Sequence, residues 1–259
     1  INQKHVEDFN RDTTFNLPDN FDSIKNIIKY RDDAIDKMYN IIADYCKINA
    51  LFPDKKPFVV EIKGDAKSGK TTLATEAAYL IDEQPVYLDL SDYTDAPSLN
   101  RIIRSPVGFV GFDSKKEMPF DIIESTPRKI IILDNYDKAH QVVQDFFRSA
   151  LDTAIIKYAD NRLIDISKCI VIKTSEQMNK TRSIGFAESK SKQSASEITL
   201  NILSANEMIK ATEEKITEMI AEIKNGHSKY ATLPDSVELT DDEKNTIVTP
   251  ADIITVSRN

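Results

Sequence analysis

Phe58-Val59-Val60-Glu61-Ile62-Lys63-Gly64-Asp65-Ala66-Lys67-Ser68-Gly69-Lys70-Thr71-Thr72 is the stretch on which the reading of this chain turns. Its first five residues are a short β-branched apolar run of the buried-strand type. Gly64 to Thr71 match G-x-x-x-x-G-K-[ST], placed after that strand and at the start of a helical segment that continues to about Ile81. Glycines at both ends let the loop wrap with the backbone N–H groups of Gly64, Asp65, Ala66, Lys67, Ser68 and Gly69 turned inward. The helix N-terminus at Lys70, Thr71 and Thr72 adds partial positive charge. Lys70 can reach the β/γ-phosphates, and the Thr71 hydroxyl can ligate Mg²⁺. The stretch is read as a nucleotide-phosphate cradle.

Working outward, Val86–Leu90, Lys129–Asp134 and Cys169–Thr174 are further apolar strand candidates, with a helical pattern from Val142 to Ile156 between the last two. Strands alternating with helices predict right-handed βαβ units, hence an α/β fold with a parallel sheet covered by helices on both faces. Asp134 closes the third strand at the carboxyl end, where open α/β sheets bind ligands, and is the candidate second metal ligand beside Thr71. Read alone, it is equally an ordinary strand-terminating Asp. Upstream, Ser23–Asn49 carries apolar residues at helical spacing, interrupted near Lys29-Tyr30-Arg31. Residues 1–22 are polar and read as an irregular arm. Downstream, Glu188–Ser196 reads as a loop, and Ser204–Lys224 is an amphipathic helix with no strand partner. The expected division is an arm over 1–22, a nucleotide-binding domain over 23–200 and a small helical lid over 201–259.

Composition narrows the class. Of 259 residues, 41% are hydrophobic and 29% charged, enough for a large core in a soluble chain. Lys and Arg total 34 against 42 Asp and Glu, a net charge of −8 that disfavours nucleic acid as a partner. No apolar run approaches the ~18 residues of a membrane span, and the first residues carry no signal-peptide pattern, so a cytoplasmic setting is expected. Two cysteines and three histidines make neither a disulfide scaffold nor a zinc site.

Beyond the cradle, LDLSDYTDAPSLNRIIRSPVGFVGFD from Leu88, IIILDNYDKAHQVVQDFFRSALD from Ile130 and NRLIDISKCIVIKTSE from Asn161 stand in order. With Thr181–Phe186 (TRSIGF), they resemble the second ATPase ring of the Clp-type AAA+ unfoldases and disaggregases over residues 23 to 187 or so. The resemblance implies ATP or ADP with Mg²⁺, and a ring-shaped homo-oligomer, a hexamer or larger assembly, acting on a protein or polypeptide substrate. It makes Gly108, Phe109, Val110 and Gly111 the central-pore loop, with Phe109 as the gripping aromatic. The rival reading of that loop is a surface turn with its Phe side chains tucked into the core. Ile27 and Ile28 would lie near the adenine, or else form plain helix core, and Arg258 falls roughly where the lid's sensor arginine is expected.

Three departures bear on catalysis. The family's water-activating Glu is Asn135, which cannot accept a proton at neutral pH, and losing a general base costs on the order of 10²–10⁴ in rate. The family's sensor Asn is Glu176, a carboxylate where a neutral amide would meet the γ-phosphate. The trans-acting arginine, and the apolar strand that should follow it, are not found between Phe186 and Ser204. Two functions follow as expectations: a Clp-type ATP-binding module with impaired hydrolysis, or a nucleotide-stabilised structural or regulatory subunit with little or no turnover. His140, inside Lys138-Ala139-His140, is given a helix-start role.

Overall fold

Alternation along the central strands organises the molecule, because adjacent residues of a strand point to opposite faces. The computed structural model describes residues 15–51, 55–105, 117–176, 196–201, 203–226, 238–239 and 244. Strands β1 (Phe58–Gly64), β2 (Val86–Asp89), β3 (Ile130–Asp134), β6 (Ile170–Glu176) and β7 (Ser196–Leu200) form one sheet in the order β2-β3-β6-β1-β7, every neighbour parallel. A separate antiparallel hairpin pairs β4 (Ile155–Lys157) with β5 (Leu163–Asp165).

Val60, Ile62, Ile130, Ile132, Ile170 and Ile172 face one layer, where they meet helices α1 (Asp22–Ile27), α2 (Asp32–Leu51) and α3 (Lys70–Ile81). Val59, Ile131, Leu133 and Val171 face the other, where they meet helix α4 (Gln141–Thr153), Phe120 and the hairpin. Both faces are buried, which is why these strands read as unbroken apolar runs. Helix α5 (Ala205–Gly226) lies apart from these two layers. Its Met208 shares a small apolar cluster with Leu203 and Leu239, with Tyr30 packed against it. Lys29 pairs with Glu218 of α5 at 2.9 Å, and the Tyr30 hydroxyl donates to Glu214 at 2.9 Å.

The structure corrects the sequence reading in three places. Helix α4 stops at Thr153 rather than Ile156: Ala154 turns left-handed at φ 60°, and Ile155 and Ile156 enter the hairpin. A strand does follow the cradle domain's last segment, since Ser196–Leu200 pairs along β1 and buries Ile198 and Leu200. Ser196 therefore belongs to β7 and not to a loop. Finally, Ile27 is 55% exposed and forms no core, because α1 ends there and the chain bends through Tyr30 at φ 59° before α2 begins. Residues 15–20 have neither helix nor strand, and Phe15 and Leu17 pack against the core.

Candidate nucleotide site

The carboxyl ends of β1, β2, β3 and β6 converge at the cradle. The strand order reverses here, because β1 lies between β6 and β7 while the chain leaves it for β2 on the far side. Gly64 ends β1 against β7. A Cβ there would sit 2.2 Å from the Leu200 carbonyl oxygen, so no other residue fits. Gly69 caps α3 at φ 96°, in the region that favours glycine, and the Ile28 side chain lies in van der Waals range of a Cβ built on it. Lys70 is buried, and its ammonium donates to the carbonyls of Gly64 (3.0 Å) and Asp65 (2.5 Å). Burial lowers its pKa, against the attraction of Glu176 and Asp137.

Across the cradle, the Thr71 hydroxyl donates to both oxygens of Asp134, at 3.0 and 2.9 Å. Asp134 is 1% exposed and also accepts from Tyr87 (3.1 Å), Thr174 and the Asn135 amide (3.3 Å). Such a set of hydroxyl and amide donors keeps a buried carboxylate satisfied. Asn135 sits at φ 54°, a left-handed conformation that Asn tolerates, and its N–H donates to Thr174 Oγ1 at 2.9 Å. Its amide Nδ2 also donates to Asp89 Oδ1 at 3.0 Å. Burial alone would push the Asp89 carboxyl up, but hydrogen bonds from Asn135 and Ser91 outweigh it and hold the group below its usual value. Burial, then Asp134, push the Tyr87 phenol well above its ordinary pKa.

Glu176 does not stand as a bare charge. Its carboxylate pairs with Lys138 at 3.0 Å, its N–H donates to Asp137 at 3.1 Å, and the hydrogen bond to Glu176 raises the pKa of Lys138. His140 occupies the N-cap of α4, its Nδ1 accepting from the Val142 N–H at 3.2 Å. Thus Gly64–Thr72, Asp134, Asn135 and Ile28 gather at one end of the sheet, with Glu176 in electrostatic reach of Lys70, while Ile27 turns to solvent. The loop Gly108–Gly111, Arg258 and the segment Thr181–Phe186 lie outside the described residues.

The residues present fit a magnesium-bound triphosphate. Ser68 Oγ is buried, 2% exposed, and has no hydrogen-bond partner among the described residues. Gly64 leaves a space that a Cβ would fill, and Thr71 with Asp134 offers hard oxygen donors suited to Mg²⁺.

The profile of the AAA domain (Cdc48 subfamily) matches residues 55–225, more than half of the chain. The chain belongs to this family. Relatives of this AAA+ module include ClpB of Mycoplasma genitalium, 26% identical over 60% of this chain and 22% of that protein. ClpB of Clostridium tetani is 27% identical over 60% of the chain and 18% of its own length. ClpB 1 of Thermosynechococcus vestitus is 32% identical over 43% and 13%. The chain thus spans about a fifth or less of these relatives. Hsp104, solved in a closed state with ATPγS and FITC-casein, superposes with a TM-score of 0.64 over 92% of this chain and 45% of its own. At 19% identity, that likeness speaks to the fold alone. The architecture is the AAA+ P-loop fold, and the chain is a Clp-type module of a family that binds nucleotide.

Sequence reasoning missed Tyr87, Asp89, Thr174 and Lys138 as members of this site. The available signal was positional: Asp89 and Thr174 are polar residues at the carboxyl ends of apolar strands adjoining β3.

Proposed function

We propose that this chain binds Mg²⁺-ATP as one module of a Clp-type ring that remodels or threads polypeptide, and that it hydrolyses the nucleotide slowly. The observation that carries the reading is the Thr71 hydroxyl at 2.9–3.0 Å from Asp134, across a cradle in which Ser68 Oγ is buried and has no partner among the described residues. Thr71 and Asp134 would hold the metal, which when bound neutralises phosphate charge. Gly64–Gly69 amides and Lys70 would hold the phosphates, and Ile28, against Gly69, would border the base side. Asn135 supplies no carboxylate, so turnover depends on other groups. The pore role of Phe109, the hexameric ring and a cytoplasmic setting rest on the family resemblance. Among the described residues, no helix is long and apolar enough to cross a membrane.

A second reading, a nucleotide-stabilised structural subunit without turnover, draws on Asn135 and on the Glu176–Lys138 ion pair, at the residue to which the family resemblance assigns the sensor. Calorimetry with Mg²⁺-ATP on the chain and on Lys70→Ala, beside a turnover assay, tests both. Binding heat lost in Lys70→Ala is expected. No heat from the unaltered chain refutes the nucleotide reading, and a per-second turnover refutes both slow and absent hydrolysis.

A further inference from the structure

We propose that Lys29, Tyr30 and Arg31 form a latch that holds helix α5 beside the cradle and sets how fast a bound nucleotide leaves. The inference rests on the nucleotide reading above and adds the control of release at that site. Three consecutive side chains face one stripe of α5. Lys29 Nζ lies 2.9 Å from Glu218, the Tyr30 hydroxyl donates to Glu214 at 2.9 Å, and Glu207 stands in electrostatic reach of Arg31. Lys210 Nζ lies 5.8 Å from the centre of the Tyr30 ring, within the range of a cation–π contact. Positions 207, 210, 214 and 218 recur at the three- and four-residue spacing that places side chains on one face of a helix.

Helix α5 is attached at two points, and the cradle lies between them. One is covalent: β7 leads into α5 through Leu203 and Ser204, and Leu200 of β7 is the ladder partner of Gly64, the first cradle glycine. The other is the latch, which directly follows Ile28, the side chain nearest a Cβ built on Gly69, the last cradle glycine. Among the described residues the apolar cluster of α5 has only three buried members, Leu203, Met208 and Leu239, so the polar contacts carry much of the hold. A swing of α5 about its covalent attachment requires them to open. Tyr30 at φ 59° is in a region that bulky residues rarely enter and that persists only where surrounding contacts impose it. Its hydroxyl and ring contacts run to α5, so opening relieves that strain. The Lys29 and Glu218 side chains keep 25% and 43% of their exposure, and an ion pair so open to solvent breaks at modest cost. These are the properties of a reversible catch rather than of permanent docking.

Release of a ribose-labelled fluorescent ADP with Mg²⁺, chased by excess unlabelled ADP in a stopped-flow instrument, tests the latch on the whole chain. Tyr30→Phe keeps the ring and removes only the hydroxyl donated to Glu214. It should raise the release rate about 3–10-fold, the worth of one hydrogen bond to a charged group. Lys29→Glu sets two carboxylates against each other and should raise it about 2–10-fold. Adding Glu218→Lys restores an opposite pair at the net charge of the unaltered chain and should return most of that change. Association should barely alter, and Tm should stay within ~2 °C, since the central sheet is untouched. A role in folding alone would lower Tm and leave release from the folded chain as it was. Release from Tyr30→Phe and Lys29→Glu at the rate of the unaltered chain overturns the latch. So does a charge-swapped double variant that releases as fast as Lys29→Glu alone. With the labelled ADP bound by the unaltered chain, these outcomes refute the latch only; no binding refutes the nucleotide reading and this inference with it.

Discussion

Replacing Gly64 with alanine sets a Cβ 2.2 Å from the backbone oxygen of Leu200, where an ordinary contact needs at least 3.4 Å. Leu200 cannot swing aside as a flexible side chain can, because Gly64 and Leu200 are partners in the β1–β7 ladder. Relief requires the end of β7 to retreat by about 1 Å, at an overpacking cost of about 1–3 kcal/mol. One loosened ladder hydrogen bond adds ~1 kcal/mol, so the loss should total about 2–4 kcal/mol. At roughly 2–4 °C per kcal/mol for a domain of this size, Tm should fall by about 4–16 °C. Thermal unfolding by circular dichroism measures it, and hydrogen exchange at Ile198–Leu200 shows whether β7 is the element that loosens. A Tm within ~2 °C of the unaltered chain, with β7 protection intact, refutes the close approach of β7 to the cradle.

Lys129 and Asp82 form an ion pair at 2.8 Å with side chains only 7% and 9% exposed, and Asp82 also accepts the Ile130 N–H. Lys129→Met alone should cost about 3–5 kcal/mol in urea denaturation, and adding Asp82→Leu should recover a large part of it. Burial pushes the Cys169 thiol up to about 12 and that of Cys46 up to about 11. Both thiols stay protonated near neutrality, so native alkylation by iodoacetamide should be slow at pH 8 and still rising above pH 9, where a peptide thiol levels off. Tyr30→Phe removes the hydroxyl donated to Glu214, and hydrogen exchange should quicken in α5 while the central sheet keeps its protection.

What could be read from residues alone follows the physics of burial. β1, β3 and β6 are covered on both faces, so their apolar runs announce them, and the glycine-framed cradle is set by local backbone demands. β7 was missed because it is an edge strand whose exposed Glu197 and Thr199 alternate with just two buried residues. The end of α4 was overrun because its left-handed stop is an alanine, with no glycine to mark it. Ile27 looked like core because helical spacing carries no sign of a bend one residue later. In the site, Gly64–Thr72 is a local pattern. The Asn135–Asp89 hydrogen bond joins residues 46 positions apart and exists only through the β2–β3 register.

The Lys70 ammonium tied to the carbonyls of Gly64 and Asp65 closes its own loop like a clasp. An incoming anion would trade places with those oxygens one for one, so the turn need not be assembled at the moment of capture. Capture should then leave the ordering of the 64–70 backbone almost unchanged, and its selectivity should come from how well a guest outcompetes two fixed peptide dipoles for a single cation.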